Sequence, residues 1–361
     1  MTNLLLLRFS AMGDVALLAP VVQTFTNRYP DVRITVVTRP KFAVFFAQFP
    51  RVRVVGADLS GRHRGLTGLF RLFQELRRMD AFDLVVDANE NLRSAVLKRL
   101  FCMAGVSSVS LDKGRAEKKA LVRKEDKIRR PLPHSIERYA NLFGMAGFTV
   151  PPPAGWPPAG WPPESFSFAP TPAAKAELTT FLERHRLPVG EPWLGIAPFA
   201  QHVQKMWPFE RFGPLLDQLY ADRPLRIFLF GGGSVEIAQL ETLRQRFPQA
   251  IIVAGQLSLP AELALIRRLA GMLCMDSGNM HLAALSSIPV LSIWGATHTD
   301  AGFGPWGQGR DAIIQIPTDV LPCRPCSVFG NVPCWRGDLA CLNDIPVAMV
   351  AGRVRQLLGH E

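Results

Sequence analysis

A carboxylate at position 14, an ammonium at 205 and a second carboxylate at 276 each follow a short apolar run, in loops of small and polar residues. In Ser10-Ala11-Met12-Gly13-Asp14, Gly13 permits a tight turn and Asp14 falls near the start of a helix. An aspartate there has an ordinary use as a cap favoured by the helix dipole. Its chemical use would be to take a proton from a hydroxyl within hydrogen-bond reach. In the second half, the loop from Pro198 to Pro208 carries Gln201, His202, Gln204 and Lys205. A lysine above a sheet can neutralise a diphosphate as a point charge. Gly231-Gly232-Gly233-Ser234 precedes a helix bearing Glu236 and lets backbone approach a ligand, but it lacks the full dinucleotide fingerprint and also suits a plain turn. Asp276-Ser277-Gly278-Asn279-Met280-His281 joins a strand to a helix. Amides at a helix start suit a phosphate, while Asp276 or Ser277 can equally serve as a simple cap. Trp294-Gly295-Ala296-Thr297 closes a further strand. Together these loops suit a nucleotide diphosphate.

The elements that must position these residues alternate. Strands are expected at Leu4–Phe9, Arg33–Thr38, Val52–Val55 and Leu84–Asp87, with helices at Asp14–Arg28, Phe42–Gln48, Leu66–Arg78 and Leu92–Phe101. Leu66, Leu69, Phe70, Phe73 and Leu76 have helical spacing. The rhythm breaks over 151–172, a proline-dense stretch in which AGWPP is written twice. Such density excludes a helix interior or central strand and reads as an extended connector. The alternation then resumes, from the helix Ala173–His185 and the strand Trp193–Ala197 to the strand Val290–Trp294. Strands separated by helices imply parallel βαβ units. The expected division is a Rossmann-like domain over 1–150, the connector over 151–172 and a second Rossmann-like domain over 173–361, with ligands beyond the carboxyl ends of the strands.

The 361 residues are 48% hydrophobic and 20% charged, which suits two globular domains. No apolar run approaches the roughly 18–20 residues that cross a bilayer, and Arg8 interrupts the Leu4–Leu7 run too early for a secretory signal, so a cytoplasmic protein is expected. A net charge of +11 favours a polyanionic partner: nucleic acid, anionic lipid or a phosphorylated substrate. The charge collects in residues 111–130 and in Arg62, His63, Arg64, Arg71, Arg77 and Arg78, all in the first half.

Read together, these stretches resemble glycosyltransferase family 9, the ADP-heptose:lipopolysaccharide heptosyltransferases. The resemblance rests on Arg8 to Asp14 with Pro20, Asp87 with Asn91-Leu92-Arg93-Ser94, and His134 with Glu137-Arg138-Tyr139. Lys205 with Trp207-Pro208, and Asp276-Ser277-Gly278 with His281, complete it. It implies a GT-B fold, α/β, with two parallel-sheet domains facing a cleft, and an inverting transfer without an obligatory metal or other cofactor. It implies Asp14 as general base and Lys205 as the group stabilising the departing diphosphate. The donor, an ADP-sugar, would meet Gln201, Gly232, Glu236, Asp276, Ser277, Gly278 and His281. The acceptor, an anionic glycolipid of the lipid A-core type, would meet Ser10, Gly13, Arg62, Arg64, Asn91, Arg93, Lys113, Arg115, His134 and Arg138. Such an acceptor implies peripheral attachment to the inner face of the bacterial inner membrane. One departure concerns the donor: some family members carry Thr or Ser hydroxyls where this chain has Ala200 and Gln201.

The cysteines stand apart. Cys102 and Cys274 lie in apolar context and read as buried small hydrophobes. Cys323, Cys326, Cys334 and Cys341 have spacing compatible with a closed structural zinc site, or with free thiols. Competing functions are the same fold with another nucleotide-sugar donor, an inactive scaffold, and a nucleic-acid-binding protein driven by charge. Against the last, the basic residues are not interleaved with aromatics, and no recognised nucleic-acid motif is present.

Overall fold

The computed structural model describes residues 2–151, 166–187, 190–222 and 224–359, so most of the expected proline-rich connector lies outside the described residues. The chain divides into two compact units, Met1–Arg115 with Pro133–Ala154, and Ala116–Leu132 with Gly155–Glu361.

In chain order the first stretch runs β1 (Thr2–Leu7), α1 (Met12–Arg28), β2 (Val32–Thr38), β3 (Val52–Gly56), α2 (Gly65–Met79), β4 (Leu84–Asp87), α3 (Leu92–Met103), β5 (Ser107–Ser110), α4 (Arg115–Leu121) and α5 (Ser135–Met145). The five strands form one parallel sheet in the order β3-β2-β1-β4-β5. Leu4 to Leu7 are fully buried, which is why a central parallel strand reads as an unbroken apolar run. In α2, Leu69, Leu72, Phe73 and Leu76 pack onto this sheet, whereas Leu66 is 71% and Phe70 47% exposed. The helix expected over 42–48 is instead a 3-10 turn at Pro40–Phe45; its three-residue period turns Phe42 and Phe45 inward together.

The second stretch runs α6 (Pro172–His185), β6 (Trp193–Ala197), α7 (Phe212–Asp222), β7 (Arg226–Leu229), α8 (Gly233–Arg246), β8 (Ile251–Ile252), α9 (Leu259–Ile266), β9 (Gly271–Met275), α10 (Gly278–Leu285), β10 (Val290–Ile293), β11 (Ile313–Ile314), α11 (Ala340–Asn343) and α12 (Val347–Leu357). Its sheet is parallel, in the order β11-β10-β9-β6-β7-β8. Residues 116–132, which carry most of the 111–130 basic group, pack with this unit. Leu132 N donates to Asp300 O at 2.9 Å, Arg129 Nη2 to Pro322 O at 2.7 Å, and Lys118 lies over the Phe303 ring.

Each sheet has one place where successive strands change direction of travel, between β1 and β4 in the first and between β6 and β9 in the second. Loops leaving the carboxyl ends of such neighbouring strands diverge and leave a crevice, the usual ligand position in open α/β sheets.

Candidate active site

At the first crevice, Arg8 follows β1 directly, and Asp14 sits in the first turn of α1. Arg8 Nη2 stands 2.6 Å from Asp14 Oδ2, the same oxygen accepting the Ala11 amide at 3.2 Å. Arg8 Nη1 donates to the Ala88 carbonyl across the crevice, and its guanidinium lies over the Tyr139 ring. Tyr139 OH donates to the Asp14 carbonyl at 3.2 Å. Burial works against the Arg8 charge, but Asp14 foremost, with Tyr139 and Asp87, raises it above the ordinary arginine value. Arg8 is 6% exposed and Asp14 33%, so the cation is sealed while the carboxylate remains reachable.

The β4 loop is tied to the β1 loop. Buried Asp87 accepts the Asn89 and Glu90 amides and the Ser94 hydroxyl, and Asn89 Oδ1 accepts the Phe9 amide at 2.9 Å and the Ser10 amide at 3.3 Å. Glu90, held in the left-handed region at φ +47°, pairs with Arg115, and its carbonyl takes Lys113 Nζ at 2.9 Å. Burial pulls Lys113 below its ordinary value despite Glu90. Asn91 and His134 cap α3 and α5, accepting the Ser94 and Ile136 amides. Arg138 donates to the Pro133 and Asp112 carbonyls. Arg62 pairs with Glu75, and Arg64 and Arg93 are exposed. Ser10, Gly13, Asp14, Asn91, Arg93, Lys113 and Arg115 thus share the carboxyl edge at β1, β4 and β5, whereas Arg62 and Arg64 lie beyond the edge strand β3.

At the second crevice, Lys205 arrives from the loop after β6 and Asp276 from the end of β9. Lys205 Nζ stands 2.9 Å from Asp276 Oδ2, and Thr297 Oγ1 donates to that oxygen at 2.8 Å. Trp207 anchors the lysine loop, its indole donating to Ile345 O at 3.1 Å and its amide to Met275 Sδ. Ala296 N donates to Gln204 O at 3.0 Å, and a Cβ on Gly295 would come within 2.5 Å of that oxygen, so glycine is needed for the close approach. Ser277 is the N-cap of α10 and Gly278 its first residue; the buried Ser277 Oγ has no protein partner among the described residues. His281 is buried on the same helix. Glu236 folds back onto its own helix start, accepting the Gly232 amide at 2.7 Å, and Gln201 is exposed. A lysine ammonium and the open amides of an α-helix N-terminus are groups with which a phosphate can pair.

Arg8, Tyr139 and Thr297 fall inside the motifs and loops read from the sequence but carry no site role there, and Asn89 and Glu90 lie outside those motifs. Cys274 is buried as expected; Cys102 is exposed instead, with Ser108 Oγ 3.2 Å away. Among the described residues, no three Cys, His, Asp or Glu side chains stand ready to share a metal ion, and no helix is long and apolar enough to cross a membrane.

Two parallel sheets, each with a topological switch point, define an α/β fold of the GT-B class. Residues 69–328 match the model of glycosyltransferase family 9 (heptosyltransferase), and the chain belongs to that family. It is a glycosyltransferase. The chain is 26% identical over 337 residues to lipopolysaccharide heptosyltransferase 1 of Pseudomonas aeruginosa, covering 90% of this chain and 86% of that protein. In fold it is similar to a family 9 glycosyltransferase from Veillonella parvula, with TM-score 0.75 and 18% identity over 99% of this chain and 97% of that one. It is also similar to E. coli heptosyltransferase WaaC solved with ADP, with TM-score 0.67 and 19% identity over 99% and 100% of the two chains.

Proposed function

We propose that this glycosyltransferase moves heptose from ADP-heptose to an inner-core sugar of a lipopolysaccharide acceptor, with inversion at the anomeric carbon. Asp14 takes the proton of the acceptor hydroxyl as its oxygen attacks that carbon. The bond from the carbon to the diphosphate breaks, and the charge gathering on the departing ADP meets Lys205 and the amides opening α10. Asp276 and Thr297 hold Lys205 in place until then. Lys113, Arg115 and Arg93 supply positive charge for the acceptor's phosphates and acidic sugars. The observation that carries the reading is the Lys205–Asp276 pair across the β6/β9 switch point, in a chain whose relatives include a lipopolysaccharide heptosyltransferase and a fold neighbour solved with ADP.

Such an acceptor lies in a membrane. Exposed Leu66 and Phe70 on α2, beside Arg62, Arg64 and Arg71, support peripheral docking at an anionic surface, the inner face of the bacterial inner membrane.

Calorimetry with ADP, UDP and GDP tests the donor half. Selective ADP binding, followed by heptose transfer from ADP-heptose to a truncated lipopolysaccharide acceptor, is the expected result. Preference for UDP or GDP would keep the fold and discard the heptose donor.

A further inference from the structure

Arg324 takes no part in the reading above, yet it lies against the loop that closes β10 at the second crevice. It is 1% exposed, and among the described residues no carboxylate pairs with it. Its guanidinium is spent on neutral oxygens. Nε donates to Gly295 O at 2.7 Å, and Nη1 donates to Ile316 O. Nη2 is shared between Trp294 O at 3.2 Å, Thr297 O at 3.0 Å and Gln315 Oε1 at 3.1 Å. A buried cation without an anion is costly. An apolar side chain would fill the space without that cost, but it would leave these buried carbonyls without donors.

What the charge holds is one short stretch of backbone. The carbonyls of Trp294, Gly295 and Thr297 all turn toward the one guanidinium, whose planar fork presents several donors in fixed directions. The remaining carbonyl of the stretch, that of Ala296, accepts Cys326 N at 3.0 Å and Ser327 N at 3.2 Å. Every carbonyl from 294 to 297 is therefore taken by the segment 324–327.

The same stretch reaches both members of the Lys205–Asp276 pair. Thr297 Oγ1 donates to Asp276 Oδ2 at 2.8 Å, the oxygen that Lys205 Nζ meets at 2.9 Å. Ala296 N donates at 3.0 Å to the carbonyl of Gln204, the residue before Lys205. A turn of this backbone would displace the hydroxyl that holds the carboxylate and the amide that holds the lysine loop together.

We propose that Arg324 is a positioning residue for the donor half of the reaction: by gathering the carbonyls of Trp294, Gly295 and Thr297, it sets the Thr297 hydroxyl and the Ala296 amide, and through them the place of Lys205 against Asp276. The role rests on the reading of Lys205 as the group that meets the departing diphosphate. Arg324 is too deeply buried to meet a ligand itself, so it acts through the backbone alone.

The test is calorimetry on the full chain with ADP, and with adenosine as a ligand that carries no phosphate. Arg324→Met should weaken ADP by about 10-fold, within the range seen for residues that touch no ligand, and leave adenosine affinity unchanged. Arg324→Lys should fall between Arg324→Met and wild type, because an ammonium has three donors for the carbonyls that the guanidinium gathers. An arginine that only stabilised the fold would lower the fraction of chains that bind, while those chains bound ADP as wild type does. Stoichiometry and affinity separate these two results. In a Thr297→Val background, Arg324→Lys should cost less than it does alone, since part of its effect passes through that hydroxyl. That comparison decides the matter if Arg324→Met fails to fold, and full additivity there would overturn the route through Thr297. Wild-type ADP affinity in the Arg324 variants, an equal loss for adenosine, or a loss of stoichiometry alone would overturn the positioning role, provided that Lys205→Met still weakens ADP. If Lys205→Met binds ADP as wild type does, the reading of the lysine fails, and the positioning role falls with it.

Discussion

Asp14 Oδ2 receives two donors at once, the Arg8 guanidinium at 2.6 Å and the Ala11 amide at 3.2 Å. The carboxylate is therefore both a helix-start residue and half of an ion pair whose cation is sealed beneath it. These uses are compatible, because the pair fixes the carboxylate's orientation while a third of its side-chain surface stays open. Arg8 is itself fixed by the Ala88 carbonyl and the Tyr139 ring, so the position of the carboxylate is set from both the β1 and the β4 side.

Asp14→Asn keeps the size and one acceptor oxygen for the Ala11 amide but removes the base. Turnover at saturating donor should fall by about 10²-fold or more, the usual scale for general-base loss. ADP affinity should stay within about 2-fold, since the Lys205 loop belongs to the other unit. A turnover within a few-fold of wild type would remove Asp14 from the chemistry.

Lys205→Met removes the cation and leaves Asp276 with Thr297. A charge-assisted contact to a diphosphate is worth about 1.5–3 kcal/mol, so ADP affinity should drop about 10- to 100-fold in calorimetry. Adenosine, which carries no phosphate, should bind both forms alike. An equal loss for adenosine would mean that the lysine acts through the fold.

Gly330→Ala probes the wall behind that lysine. Gly330 sits at φ +76°, and an added Cβ meets Lys205 Cγ at 2.5 Å and Cδ at 2.7 Å. The stem must shift, which disturbs its pairing with Asp276. ADP affinity should fall by about 10-fold, whereas the melting temperature should change little beyond the roughly 1 kcal/mol of backbone strain. Unchanged affinity would mean that the wall does not set the lysine's position.

The sheets were legible because their strands are continuous apolar runs, and a parallel strand buried on both faces needs such a run: Leu4 to Leu7 is the plainest case. The short β11 and the α11 and α12 segments were not read, since two isoleucines carry no period and a helix such as Ala340–Asn343 is set by its packing. Asp14, Lys205 and Asp276 were legible as charged residues in the loops that follow strands. The contacts that fix them were not. Arg8, Asn89 and Thr297 act through oxygens and amides brought from neighbouring strands, and those contacts depend on a strand order that local spacing does not encode. Leu66 and Phe70 mislead in the opposite way. Their spacing joins them to the apolar stripe of α2, but the contact face ends at Leu69, Leu72, Phe73 and Leu76.

Glu262 carries a consequence for pH. It lies on α9 against α6, where burial, and secondarily the Glu177 carboxylate, push its carboxyl up to about 8. Glu177 accepts the Ser258 amide at 2.7 Å and hydroxyl at 2.5 Å. In the unfolded chain the same carboxyl titrates near its ordinary 4.5. Between these values the folded state holds a proton that unfolding releases, so rising pH favours the unfolded state. The protonated carboxyl is tolerated fully below pH 4.5, its cost grows as pH climbs toward 8, and the slope ends above that value. Glu262→Gln keeps the shape and cannot ionise. The stability difference between Glu262→Gln and wild type should therefore widen from pH 4.5 to pH 8 in the variant's favour, by up to a few kcal/mol, and then level off. Urea melts of the two proteins across that range measure it. Parallel curves at every pH would mean that Glu262 is solvated enough to titrate as it does unfolded.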